Sequence, residues 1–204
     1  MEYLDTSVEL LDKTKDYDTI LFKLEQAGRT CYQSKSKGTV VGAESFLMGI
    51  MKSGHESVIE HECLTFKVIT DRAIANQIVR HRLSSYSQLS SRYVDHSNLK
   101  VVLPKGLHDL NHMEDYCFNN ALETIEERYQ YLITSGVPKD IARGLLPQCT
   151  ATELIMTMNL RELRHFLKIR LDKHAHEGIR EVARGIYDIM KERFPVFVFD
   201  IEVE

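Results

Sequence analysis

The 204-residue chain predicts a single domain that mixes strand and helix, on three observations. Leu64, Phe66 and Val68 alternate with Thr65 and Lys67, the two-residue period of a half-buried strand. From about Asp109 to Ser135 the pattern is that of a long helix closed by Gly136. No Gly-x-Gly-x-x-Gly follows a strand, so the doubly wound dinucleotide fold is not indicated. The length suits one substantial core over residues 1–204, and 43% hydrophobic residues is ordinary for a soluble protein. No apolar run approaches the ~20 residues of a membrane span, and the N-terminus lacks a charged-then-apolar leader. The expected location is cytoplasmic, with no membrane partner.

In order, Asp18 is expected to cap a helix through Leu21, Phe22 and Leu24 to Gly28, followed by a polar turn over residues 29–34. A second helix from about Ala43 sets Phe46, Leu47, Ile50 and Met51 on one face, and Gly54 is placed to end it. His55, Glu56, Glu60 and His61 invite a metal reading. The zincin pattern needs histidines four apart, whereas these are six apart and do not share a helix face, so no metal is expected. After the alternating strand, Asp71 caps a helix carrying Ala73, Ile74 and Ile78 inward and ending near Arg82. Gln77 and Arg80 can both reach a ligand held over the following loop.

Leu99 to Pro104 reads as a short strand, and Pro138 starts a helix with Ile141, Leu145 and Leu146 apolar and Arg143 on another face. Glu153 to Met158 reads as a buried strand leading to Asn159, which forms a capping box with Glu162. Leu160, Leu163, Leu167 and Leu171 then give a core stripe, while Arg161, His165, Arg170 and His174 are a second cluster of anion- and ring-binding groups. Arg170 and His174, one turn apart, are expected to face one cavity. The last helix, through Val182, Ile186 and Ile189, is core or subunit interface, and Val196 to Val198 closes the sheet as a strand. Cys31, Cys63, Cys117 and Cys149 contain no Cys-x-x-Cys pair and read as reduced thiols.

From Arg72 through Val94 there is no carboxylate, yet Arg72, Arg80, Arg82, Arg92, His81 and five serines fall in the run, within a chain of net charge -4. Arginine forks and serine hydroxyls converge well on phosphate oxygens and planar dione edges. A solvated basic helix end has the same composition. A nucleic-acid surface requires a wider positive field than one short run, so no nucleic acid is expected.

Arg80-His81-Arg82, seven residues, Ser90, then Arg92-Tyr93 resembles the signature of the flavin-dependent thymidylate synthases, the ThyX family. The resemblance runs from about Gly28 to the C-terminal end. One departure is that Ser87-Gln88 stand where many members carry Asn-Glu. The resemblance implies an α+β fold with a central sheet flanked by long helices, a homotetramer with active sites shared between subunits, and FAD bound between subunits. It implies conversion of dUMP to dTMP, with 5,10-methylenetetrahydrofolate as carbon donor and NADPH-reduced FAD as hydride source. By the same resemblance Ser57, Arg80, His81, Arg82, Leu83, Gln88, Asn159, Arg161 and His165 hold FAD, and His55 and His174 face folate or flavin. Gln77, Arg80, Gln88, Leu89, Ser90, Ser91, Arg92, Arg143 and Arg170 hold dUMP, with Arg170 activating the uracil ring. Unrelated thymidylate synthases use a cysteine after a proline as nucleophile, and Cys149 follows Pro147. No general base for it is recognisable, so Cys149 reads as a structural thiol.

Overall fold

The computed structural model describes residues 1–203, apart from the side chains of Tyr32 and His108. Strands β1 (Glu2–Tyr3) and β5 (Lys100–Val101) form a parallel pair. Strands β2 (Ser7–Leu10), β3 (Cys63–Asp71), β4 (Ser84–Gln88) and β6 (Ala151–Asn159) form a four-stranded sheet in the order β2-β3-β6-β4. The helices are α1 (Tyr17–Tyr32), α2 (Val40–Lys52), α3 (Arg72–Ile78), α4 (His112–Thr134), α5 (Lys139–Ala142), α6 (Leu160–Arg170) and α7 (Glu177–Arg193). Helices grouped in runs between the strands, rather than in strict strand–helix alternation, make this an α+β fold. The backbone separates into two compact units. The first holds Met1–Ser7, Val68–Arg80 and Ser87–Leu154, and the second holds Val8–Lys67, His81–Tyr86 and Ile155 onward.

In the first unit, one carboxylate organises the N-terminal strands. Glu126 on α4 accepts from the Leu99 amide at 2.8 Å and from the Met1 ammonium at 3.1 Å. Beside it Leu99, Val101, Leu122 and Cys149 are buried, with Phe118, Ile125 and Leu146 packed against them. Helix α4 begins with a reciprocal capping box between Asn111 and Glu114 and ends before Gly136, whose φ of +83° only glycine adopts without strain. Asp71 caps α3 as expected, its Oδ1 accepting from the Ile74 amide at 2.7 Å. Helix α3 stops at Ile78, four residues short of the expected end, and turns Ala75 rather than Ala73 inward. Ile141 and Leu145, expected to be apolar packing positions, are exposed, because α5 is a single turn followed by the 3-10 helix Arg143–Leu145.

In the second unit, α1 is capped by Asp16, not Asp18, and runs on past Gly28 to Tyr32. Gly28 sits inside the helix for a packing reason: a Cβ there would stand 2.8 Å from Phe46 Cε1 and 2.9 Å from Ile50 Cδ1 of α2. Left-handed Gln33, at φ +50°, ends the helix where the polar turn was expected to be under way. Helix α2 ends at Lys52 before Gly54, as the sequence predicts. Along β3 the alternation holds, with Leu64, Phe66 and Val68 fully buried. Val196 to Val198 does not form a strand, because Pro195 starts the 3-10 helix Pro195–Phe197 and buries Val196 and Phe197 by curling. Strand β4, not expected as a strand from the sequence, is the edge of its sheet, where polar side chains are tolerated.

The close approach at Gly28 has a measurable consequence. Gly28→Val forces Phe46 or Ile50 out of place and adds a β-branched residue to a helix, so thermal or denaturant unfolding should show a loss of about 2 kcal/mol. An unchanged midpoint would mean that α1 and α2 separate freely at this contact.

Candidate active site

Helix α6 follows directly from β6, and Asn159 stops the strand and starts the helix by accepting from the Glu162 amide at 2.9 Å. Its buried face carries Leu160, Leu163, Phe166 and Leu167 at 1% exposure or less. Arg164, which the sequence reading passed over, lies on this same face at 1% exposure. Its guanidinium donates to both Asp200 oxygens at 2.8 Å, to the Phe197 carbonyl at 2.6 Å and to Glu56 at 3.2 Å. A stripe count for apolar residues cannot detect an arginine buried by its partners. The opposite face presents Arg161 and His165 to the outside, with Arg161 donating to Glu60 at 2.6 Å.

Glu162 departs from the expected capping box. Asn159 caps the helix alone, while the Glu162 carboxylate, 7% exposed, turns to His81 Nδ1 at 3.0 Å. On the other side of the ring, Arg170 Nε donates to His81 Nε2 at 3.1 Å. His81 is buried, edge-on to Phe166 at 4.9 Å and to His165 at 6.0 Å, and its carbonyl accepts from the Tyr86 hydroxyl at 2.9 Å. Burial pushes the His81 pKa below the ordinary histidine value, opposed by the hydrogen bond to Glu162, with the Arg170 charge and the His165 ring adding to the downward push. That push and the Arg170 donor at Nε2 both favour the neutral ring.

The remaining expected residues of this unit, His55, Ser57, Arg82 and Leu83, are exposed, Leu83 at 72%. His55 borders an open cleft of about 400 Å³ with Ser45, Phe46, Gly49, Ile50 and Ser53. Helix α6 ends at Arg170, so His174 lies in the turn toward α7 and is held by Asp172 at 2.9 Å. His174 is therefore not one helical turn from Arg170, contrary to the expectation from their spacing. His61 is exposed as well.

The first unit carries the other expected set. Gln77 is half-buried on α3, and Arg80 is exposed just beyond the helix end. Gln88 donates to Thr152 Oγ1 at 3.2 Å, and the Leu89 amide continues the β4–β6 pairing by donating to the Glu153 carbonyl at 2.9 Å. Past that bond the chain turns: Ser91 is buried, Ser90 Oγ accepts from the Arg92 amide at 3.4 Å, and Arg92 stands over the Tyr93 ring at 5.6 Å. Arg143 is exposed and donates to the Asp140 carbonyl at 3.2 Å. Cys149 is buried beside Leu99, and burial raises its thiol pKa, the opposite of an activated nucleophile.

The sequence profile of the family described as thymidylate synthase complementing protein matches residues 9–196. A flavin-dependent thymidylate synthase of Geobacter sulfurreducens is 34% identical over 202 residues, 95% of this chain and 85% of that protein. One of Corynebacterium efficiens is 31% identical over 198 residues, 89% of this chain and 79% of that protein. Among solved structures, a UMP/dUMP methylase PolB from Streptomyces cacaoi bound with 5-Br dUMP superposes with a TM-score of 0.82 at 25% identity, covering 97% of this chain and 95% of that one. With the match running over both units and the signature arginines exposed, the chain belongs to the flavin-dependent thymidylate synthase family.

Proposed function

We propose that this enzyme converts dUMP to dTMP, taking the one-carbon unit from 5,10-methylenetetrahydrofolate and the reducing electrons from NADPH through FAD. The observation that carries the reading is Arg170, half-buried at the end of α6 and hydrogen-bonded to the His81 imidazole. C5 of uracil is a weak nucleophile, and a permanent cation at N3 and O2 would stabilise the enolate-like ring that can attack a one-carbon donor. A planar fork suits that imide edge better than an ammonium. The PolB neighbour, bound with 5-Br dUMP, supports a uridine nucleotide as substrate.

The donor set suits an anionic dinucleotide. Arg82, Arg161 and His165 lie exposed with Ser57, while Asn159 and Glu60 supply acceptors. FAD, when bound, supplies the hydride. The residues proposed to hold it are Ser57, Arg80, His81, Arg82, Leu83, Gln88, Asn159, Arg161 and His165, with His55 and His174 facing folate or flavin. Those proposed for dUMP are Gln77, Arg80, Gln88, Leu89, Ser90, Ser91, Arg92 and Arg143, besides Arg170. Continuity of the family match across both units supports one catalytic domain. The exposure of so many of these groups supports a homotetramer in which a second subunit completes each site.

Protein saturated with FAD should show flavin absorbance, oxidise NADPH and release dTMP from dUMP and methylenetetrahydrofolate, with UMP assayed in parallel. Failure to bind flavin under any condition would overturn the proposal.

Arg170→Ala should lower dTMP formation about 100-fold or more. Cys149→Ser should leave it largely intact, since the thiol is a core group. An inactive cysteine variant with a trapped covalent dUMP adduct would reverse the assignment.

Arg92→Ala and Arg170→Ala should each retain about a hundredth of wild-type activity or less when alone. Co-expressed, they should recover roughly a quarter of wild-type activity, because a shared site in a mixed pair leaves one site intact. Mixed oligomers seen by mass spectrometry but as inactive as either parent would place both arginines in one chain's site.

A further inference from the structure

We infer that Glu162 is a positioning residue for the reaction, holding Arg170 in place through His81. The inference rests on the reading of Arg170 as the group that acts on the uracil ring. Three observations on α6 and the segment at His81 carry it. Arg170 Nε, a donor in every protonation state, meets His81 Nε2 at 3.1 Å, so that nitrogen must accept and carries no proton. The ring proton then sits on Nδ1, where the Glu162 carboxylate accepts it at 3.0 Å. Both Glu162 and His81 are more than nine-tenths buried, so solvent does not stand in for either partner.

The consequence is a chain in which each bond fixes the next. A lone imidazole can flip or change tautomer, and the tautomer with its proton on Nε2 would point a donor at a donor and release the arginine. Glu162 removes that alternative by stabilising the Nδ1–H form. The groups facing His81 are Glu162, His165 and Arg170 from α6 and Tyr86 from β4, together with the Phe166 ring. Of these only Glu162 carries a negative charge. The helix-capping motif offers an ordinary reason for glutamate at this position, yet the side chain leaves the cap to Asn159 and takes the histidine instead.

The test has two readouts. In the wild-type holoenzyme, ring 15N shifts of histidine-labelled protein should show His81 neutral with its proton on Nδ1, and a proton on Nε2 would overturn the inference directly. In steady-state assays, Glu162→Ala should lower kcat about 10-fold, and Glu162→Gln, which keeps an acceptor oxygen, should restore most of it. Should the alanine variant fail to fold, Glu162→Met fills the space without an acceptor and carries the same expectation. In an Arg170→Ala background, Glu162→Ala should cost nothing further, since what it positions is gone; full additivity overturns the inference. Because Glu162 is the group holding the His81 pKa up, the His81 titration should move to lower pH in Glu162→Ala. A wild-type rate in Glu162→Ala beside an inactive Arg170→Ala would sink the positioning role alone. An active Arg170→Ala would instead sink the reading of Arg170, with the tautomer still reporting whether the chain of bonds exists.

Discussion

The second unit depends on seating a charged helix in an apolar core. Helix α6 buries Leu160, Leu163, Phe166 and Leu167, each contributing about 1.5–3 kcal/mol when fully buried. The same face carries Arg164, and an unpaired buried guanidinium would cancel much of that gain, since breaking such a pair costs roughly 3–5 kcal/mol. Asp200, Glu56 and the Phe197 carbonyl resolve the conflict by meeting the guanidinium from two chain segments, one around Glu56 and one over residues 197–200. Ridge packing alone would allow the helix to rotate or slide. The ion pairs tie its rotation to one setting, which fixes where Arg161, His165 and Arg170 emerge.

Burial also sorts the ionisable groups of the candidate site into two kinds. His81 and Glu162 are enclosed and hold one another, whereas Arg80, Arg82, Arg92 and Arg161 stand in the open. The open arginines stay accessible to solvent, Arg161 while paired with Glu60 and Arg92 while over the Tyr93 ring, and an accessible guanidinium is suited to meeting a phosphate. The enclosed pair gives Arg170 a fixed heading, which suits a group that must act on one edge of a planar ring. A lysine at that end would keep the charge and lose the two-sided geometry of the fork. Cys149 belongs to neither kind: its thiol packs as a small apolar group next to Leu99 and Leu122.

Much of the scaffold was legible in local pattern. The β3 alternation, the Asp71 cap, the long α4 with its Gly136 terminus, and the leucine stripe of α6 each follow from a period or a cap contained within about two turns of chain. The departures share a cause. Gly28 resembles a helix end until Phe46 and Ile50 from another helix occupy the space a side chain would need. Val196 to Val198 has strand composition, but Pro195 and the demand to bury two apolar side chains make a 3-10 turn. Serine-rich β4 has no strand composition and is a strand because β6 offers it hydrogen bonds.

By itself the sequence determined the family, through the spacing of Arg80, His81, Arg82, Ser90, Arg92 and Tyr93, and it determined the apolar faces that any fold of this chain must bury. Such features are local, so one strand of text contains them. Only the tertiary structure decided that Arg164 is a core residue, that His174 leaves the helix carrying Arg170, and that Glu162 serves His81 rather than the helix cap. Each of those outcomes depends on a partner brought in from a distant segment, and the energy of a charge or a hydrogen bond is set by that partner and by the water it excludes.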